Sequence, residues 1–312
     1  MKKVLIIGGG LSGATAAKFL NDSAYEVQIL EKSRGAGGRM ATKRMEGSRA
    51  DHGAQYFSAR TEPFQQQVQQ WLALDLLQTW KRNKADNYDR YFCKTGMSSL
   101  PKALLNDQIQ LLANERATHW EKTSNCFITH TESGKTYSSD YLICTAPAPQ
   151  AIELLKASKV NELKALKEIT YEPCFALLLT TKKAIDLPEN ASIDKPNKTF
   201  NWLMSNFNKG FAAKPTYTLH TSHEFALEHF EKSVEELQEL MLERLPEQFK
   251  GAEFTEILVH KWRYGIAMKR INEKFLKSNN GVYFAGDGFG IGNVEGAYLS
   301  GLAVAEDLVG RG

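Results

Sequence analysis

The stretch Lys2-Lys3-Val4-Leu5-Ile6-Ile7-Gly8-Gly9-Gly10-Leu11-Ser12-Gly13-Ala14 decides the architecture. Residues 2–8 form a short, nearly continuous apolar run, the pattern of a strand buried on both faces of a parallel sheet. Glycines interrupt it, and from Ala14 to Leu20 small and apolar residues return at helical spacing. Glu26-Val27-Gln28-Ile29-Leu30 then alternates and ends on Glu31. Strand, turn, helix and second strand in this order open a Rossmann-type sheet. Each glycine of Gly8-x-Gly10-x-x-Gly13 has a physical task in that turn. Gly8 permits the tight turn, Gly10 lets backbone approach a pyrophosphate, and Gly13 lets the helix pack closely on the sheet. The helix start then offers free N–H groups to the phosphates. Glu31 stands eighteen residues after Gly13, where a carboxylate accepts hydrogen bonds from both ribose hydroxyls. It repels a 2′-phosphate, which disfavours NADP at this first site, but both NAD and FAD carry the ribose it would bind.

The following loop, Leu30-Glu31-Lys32-Ser33-Arg34-Gly35-Ala36-Gly37-Gly38-Arg39-Met40, separates those two cofactors. Gly37-Gly38 lets a second stretch of backbone close over the dinucleotide, and Arg39 sets a fixed cation against the pyrophosphate. Lys32 belongs to the same set. An NAD dehydrogenase has no need of this second clamp. Near the other end stand Tyr283-Phe284-Ala285-Gly286-Asp287 and Gly292-Asn293-Val294-Glu295-Gly296-Ala297. A buried strand ends there in an Asp able to bind the ribityl and phosphate region. The helix beginning near Val294 and Glu295 presents its positive end, suited to the charge that a flavin acquires on reduction.

Between these motifs the spacing predicts a helix over 63–77, capped by Thr61, with Phe64, Val68, Trp71 and Leu72 on one face. A hairpin and a third strand are expected around 125–145, from Phe127–His130, a turn at 132–135 and Tyr141–Cys144. Strand-like runs follow at 174–181, 199–205, 216–221 and 254–262. A helix over 231–245 turns Val234, Leu237, Leu240 and Leu245 inward, and its charged residues form a solvated face. A strand at 282–285 and a helix over 295–308 complete the chain. The expectation is an α/β protein, with a Rossmann-type FAD-binding domain (1–60, 95–150 and 266–312) interleaved with a mainly antiparallel substrate domain (61–94 and 151–265).

The 312 residues leave ample material for two cores. With 42% hydrophobic and 24% charged residues, a mainly disordered chain is excluded. The net charge is +3 without a basic run, so nucleic acid is not an expected partner. No window reaches the apolar length of a membrane span. The four cysteines, Cys93, Cys126, Cys144 and Cys174, never form a C-x-x-C pair and read as buried reduced thiols. The first apolar run leads straight into the glycine turn rather than to a cleavage site, and a cytoplasmic protein is expected.

The three motifs resemble those of the FAD-containing amine-oxidase superfamily, and the chain is more narrowly similar to the bacterial renalase family. The narrower likeness rests on Lys32–Met40, on Asp51-His52-Gly53-Ala54-Gln55-Tyr56-Phe57, on Gly96-Met97-Ser98-Ser99-Leu100 and on Lys261-Trp262-Arg263-Tyr264. It implies a noncovalent FAD in a fold similar to p-hydroxybenzoate hydroxylase, with Ser12, Arg39, Gln55 and Tyr56 touching the cofactor. It further implies oxidation of 2- and 6-dihydro isomers of NAD(P), with molecular oxygen as second substrate and hydrogen peroxide as product. Monoamine oxidases carry their flavin on a cysteine near the C-terminus, and no cysteine lies beyond Cys174. His52 departs from the small or apolar residue usual in the renalase pattern.

Hydride removal from a dihydronicotinamide needs no obligatory general base. The seven histidines make no catalytic or metal-binding motif. Tyr56, Trp262, Arg263 and Tyr264 are the candidate substrate-side residues: aromatics to stack on a flat ring, Arg263 to meet a phosphate. Trp262 and Tyr264 fit strand packing toward a core equally well, and Trp71, Trp80, Trp120 and Trp202 read as packing. Two other functions stay open, an amine or amino-acid oxidase of the same fold and an FAD-holding protein of low turnover.

Overall fold

The computed structural model describes residues 1–80, 88–160 and 163–311. Its packing divides the chain into two units, each assembled from separated segments. Unit 1 comprises Met1–Gly38, Ser99–Thr170 and Ala267–Gly312; unit 2 comprises Arg39–Ser98 and Tyr171–Ile266. Segments 39–60, 95–98 and 151–170, with Ile266, thus fall in the other unit from the one expected. The hairpin of strands Thr42–Met45 and Ser48–Asp51 bonds to unit 2, where Thr218 Oγ1 donates to the Asp51 carbonyl. The helix Ala148–Ala157 stays with unit 1, and the following Ser158 accepts from the Trp120 N–H through its Oγ.

Unit 1 is built on a six-stranded sheet. In spatial order its strands are Leu276–Lys277, Tyr283–Phe284, Tyr141–Cys144, Lys3–Ile7, Glu26–Glu31 and Gln110–Ala113. All neighbours are parallel except the first pair. Val4, Ile6, Val27, Ile29, Ile143 and Tyr283 pack with Ala16, Ala17 and Leu20 of the first helix and with Val304 and Leu308 of the last helix. The first helix spans Leu11–Asp22 and the last Asn293–Val309. A small three-stranded antiparallel sheet, Ala117–Lys122, Phe127–Thr131 and Thr136–Ser139, contains the expected hairpin.

Unit 2 carries a five-stranded sheet, ordered Ser192–Asp194, Phe200–Ser205, Thr216–Thr221, Thr170–Thr181 and Phe254–Lys269. Phe175, Leu177, Phe200, Leu203 and Leu219 form a core with Phe225, Leu237 and Met241 from the helices His223–His229 and Val234–Leu242. A smaller cluster of Met45, Ala50, Ala176 and Leu178 gathers Leu258 and Trp262 against it.

Several expectations change in detail. The helix over 63–77 is Glu62–Ala73, because Asp75 takes a left-handed conformation (φ 59°) and Leu77–Trp80 becomes a strand. Thr61 occupies the N-cap position, but its side chain makes no capping bond. The helix over 231–245 is shorter, since Ser233 and Glu236 close a capping box at its start. Val234, just inside that cap, is exposed rather than inward. Cys93 and Cys144 are buried, whereas Cys126 and Cys174 are only half-buried; all four are unbridged. No helix among the described residues is long and apolar enough to cross a membrane.

Candidate functional site

In unit 1 the first strand ends at Ile7 and the first helix begins at Leu11, with Gly10 at its N-cap and no side chain capping it. The amide groups of its first turn are therefore available to an anion. A Cβ on Gly13 would lie 2.0 Å from the Gly8 carbonyl oxygen, so no other residue lets the helix start this close to the strand. Thr145, which follows the Tyr141–Cys144 strand, bonds through its hydroxyl to the carbonyls of Ile7 and Gly8 at 3.0 and 3.1 Å. Ser12 is buried, and its Oγ has no hydrogen-bond partner. Glu31 is buried as well. Its two carboxylate oxygens accept from the Gly9 and Ser33 amides at 2.8 and 2.7 Å. That fixes the carboxylate while leaving lone pairs on both oxygens for a diol. Gly38, at φ 54°, comes within contact of Gly10: a Cβ on it would sit 3.1 Å from the Gly10 Cα. Lys32 is exposed and bonds Gln150.

The last helix starts at Asn293, capped only by the backbone of Gly292. Val294 and Glu295 are buried, Ala297 and Asp287 half-buried. The Arg270 guanidinium lies across Gly292 and donates to the Ile291 carbonyl at 2.8 Å. It adds a positive charge beside the positive end of the helix.

Unit 2 holds the rest of the motif residues. Arg39 donates to the Tyr264 carbonyl at 3.4 Å and lies 5.3 Å over the Tyr171 ring, and Tyr171 meets Tyr264 edge to face. The loop at His52 is held from two strands and by Ala41, just before a third. Trp262 Nε1 and His220 Nε2 both donate to the His52 carbonyl, at 2.7 and 3.2 Å, and the His52 amide donates to Ala41. The His52 ring stacks on Trp262 and meets His260 edge-on. Burial is the main cause that pushes His52 down to about 3 and His220 and His260 to about 4, with the Lys43 charge adding to it at His52 and His260. All three imidazoles are neutral at pH 7. Gln55 is buried; its amide nitrogen donates to the carbonyls of Asp51 and Gly53, while its Oε1 has no partner. Tyr56 packs against Trp80 and Trp202, with the buried Arg90 5.9 Å from its ring.

The candidate residues thus form two groups, one in each unit, and one member stands apart. Arg263 alternates with Trp262 and Tyr264 along its strand and faces the other way. It stacks 4.1 Å from Phe230 and pairs with Glu231, so it does not join Trp262 and Tyr264. Sequence reasoning missed a buried ion pair. Lys209 Nζ bonds Asp51 Oδ2 and the Gln55 carbonyl, both at 2.8 Å. Asp51 also accepts from Thr42 and from the Met97 amide through Oδ1. Asp51 is in a quoted motif, but nothing near Lys209 in the chain marks it as its partner.

Residues 88–309 match the family model for flavin containing amine oxidoreductases, and residues 6–73 match an NAD(P)-binding Rossmann-like domain. The chain belongs to the flavin containing amine oxidoreductase family. It is an FAD-dependent oxidoreductase. Among the relatives of this amine oxidoreductase, mouse renalase (Mus musculus) is 24% identical over 346 aligned positions, covering 99% of each chain. A protoporphyrinogen-oxidase-like protein from Exiguobacterium superposes with a TM-score of 0.78 at 12% identity, over 100% of this chain and 99% of that one. A putrescine oxidase bound to putrescine does so with 0.72 at 14%, over 99% of each. At such identities the structures speak for the fold.

The residues present fit the cofactor of this amine oxidoreductase. The buried, unpartnered Ser12 Oγ, the uncapped helix starts at Leu11 and Asn293, and the preset Glu31 carboxylate are polar groups a dinucleotide would satisfy. An empty turn would leave Ser12 at the cost of an unmade bond.

Proposed function

We propose that this amine oxidoreductase is a renalase-like oxidase of 2- and 6-dihydroNAD(P). The overall reaction is dihydroNAD(P) + O₂ + H⁺ → NAD(P)⁺ + H₂O₂. The observation that carries the reading is the bond between Trp262 Nε1 and the His52 carbonyl. It joins the two most renalase-specific motifs, 210 residues apart in the chain, and the likeness to mouse renalase spans both chains almost entirely.

When bound, FAD supplies a two-electron acceptor that oxygen can regenerate. Ser12 and the first helix start hold its pyrophosphate, Glu31 its ribose and Asp287 the ribityl region. The starts of the last helix and Arg270 supply positive potential for the charge of the reduced ring. The renalase likeness assigns Gln55, whose Oε1 has no partner, and Tyr56 to the cofactor as well. Binding is noncovalent. Trp262 and Tyr264 orient a flat substrate ring by stacking, and Arg39 holds the Tyr264 backbone in place. Loss of a hydride from a dihydronicotinamide yields the aromatic pyridinium without a separate proton, so the neutral histidines need not act as bases.

The test is peroxide release from the FAD-loaded protein offered 2-dihydroNAD, 6-dihydroNAD, ordinary 4-dihydroNAD, putrescine and benzylamine in turn. The reading predicts turnover of the first two well above the rest. Turnover of an amine alone would replace it with the amine-oxidase reading, and no turnover of any would leave an FAD-binding protein.

A further inference from the structure

Away from the flavin motifs, the hairpin of Ala117–Lys122 and Phe127–Thr131 in unit 1 gathers two imidazoles and a carboxylate. His119 and Glu121 stand two apart on one strand and project from the same face. His130 is the cross-strand partner of His119. The register slips between Ala117 and His119, a bulge at Thr118 of the kind that re-aims side chains. One nitrogen of each histidine and a Glu121 oxygen all lie within 4.8 Å of one another. The two rings are parallel, 4.2 Å apart at an interplanar angle of 6°.

One assignment of protons satisfies both contacts of the Thr118 hydroxyl. Thr118 Oγ1 donates its only hydrogen to the His130 carbonyl at 3.2 Å. In that assignment it accepts from His119 Nδ1, 3.0 Å away. Nδ1 is then the N–H of that ring, and Nε2 keeps a free lone pair. A histidine ligand held in one tautomer by an outer partner has this arrangement. His130 Nε2 is buried without a hydrogen-bond partner and stands 3.9 Å from Glu121 Oε1, outside hydrogen-bond reach. Glu121, with 67% of its side chain exposed, leaves the remaining positions around the three donors open to water.

We propose that His119, His130 and Glu121 form a binding site for a first-row transition ion, Zn²⁺ above all, that clips the two strands together. Two imidazoles and one carboxylate suit Zn²⁺ and its neighbours, and the all-oxygen preference of Ca²⁺ and Mg²⁺ argues against those ions. Tetrahedral Zn²⁺ with bonds of ~2.0–2.1 Å holds its donors roughly 3.3 Å apart. Closing the present spacing needs side-chain rotation on a preformed hairpin, with the strands left where they are.

The test uses tag-free, full-length, FAD-loaded protein stripped with EDTA. It is titrated with ZnCl₂ by calorimetry and with CoCl₂ by visible spectroscopy, whose band intensity reports tetrahedral coordination. The site predicts one equivalent bound and affinity reduced more than fivefold in both His119→Asn and Glu121→Gln. Glu121 is exposed, so its variant keeps the fold, and an unchanged flavin spectrum verifies this for each protein. No saturable uptake near one equivalent, or a smaller loss in either variant, overturns the proposal.

Discussion

Lys209 and Asp51 keep their side chains 2% and 0% exposed, and their bonds end on the segment that carries Gln55. Removing one partner of a buried pair strands the other charge, which costs about 3–5 kcal/mol. Lys209→Met is therefore expected to lower the urea midpoint sharply. The double variant Lys209→Met with Asp51→Asn should recover part of that loss, and equal midpoints for single and double variants would contradict the account. Glu31 acts differently. Its carboxylate is held by the Gly9 and Ser33 amides and faces the ribose. Glu31→Gln should weaken FAD at least about tenfold, roughly 1.4 kcal/mol, as read by titrating apoprotein with FAD. Glu31 was legible because its partners lie in the same glycine loop and spacing alone places them. Lys209 was not, because its partner lies 158 residues away and only the folded sheet brings them together. Arg263 misled for a related reason: its neighbours in sequence point to the opposite face of a strand.

At the scale of elements, three segments of unit 2 contribute to one group, His52 from its loop, His220 and His260 from strands. Burial holds these histidines at about 3, 4 and 4, well below the ordinary value near 6.5 of the unfolded chain. The unfolded chain thus binds protons first as pH falls. Their neutral, stable packing is complete above about pH 6.5 and loses about 1.4 kcal/mol per pH unit for each proton taken up below it. Tm should fall distinctly from pH 6.5 to 5, before most carboxylates titrate, and less so in His220→Gln. A flat Tm over that interval would refute this. In unit 1 the last helix crosses the first where a Cβ on Gly301 would lie 2.1 Å from the Ser12 carbonyl oxygen. Gly301→Ala should cost about 1–3 kcal/mol through overpacking and weaken FAD with it, because Ser12 moves. Full stability in thermal denaturation would contradict that crossing. Local pattern located the first strand, both helices and the Thr216–Thr221 strand. It overran at Asp75, whose left-handed turn converts a helical stretch into a strand, since an apolar run such as Leu76-Leu77 carries no helix-or-strand label of its own.

For the whole molecule, the division into a Rossmann-type unit and a second unit with a mainly antiparallel sheet could be read from the motifs at both ends. The unit to which residues 39–60 and 151–170 attach could not. That attachment depends on long-range bonds, such as Thr218 to the Asp51 carbonyl, that have no signature along the chain. The family and the cofactor follow from motifs that serve binding, and the proposed substrate rests on the resemblance together with the meeting of Trp262 and His52. The most direct test of that central reading is spectroscopic. The purified protein, saturated with FAD, is mixed with 6-dihydroNAD in the absence of oxygen while its visible spectrum is recorded. The account predicts rapid bleaching of the flavin bands, and their return with one equivalent of peroxide when air is admitted. A flavin spectrum that 6-dihydroNAD and 2-dihydroNAD both leave unchanged, while an amine bleaches it, would contradict the account.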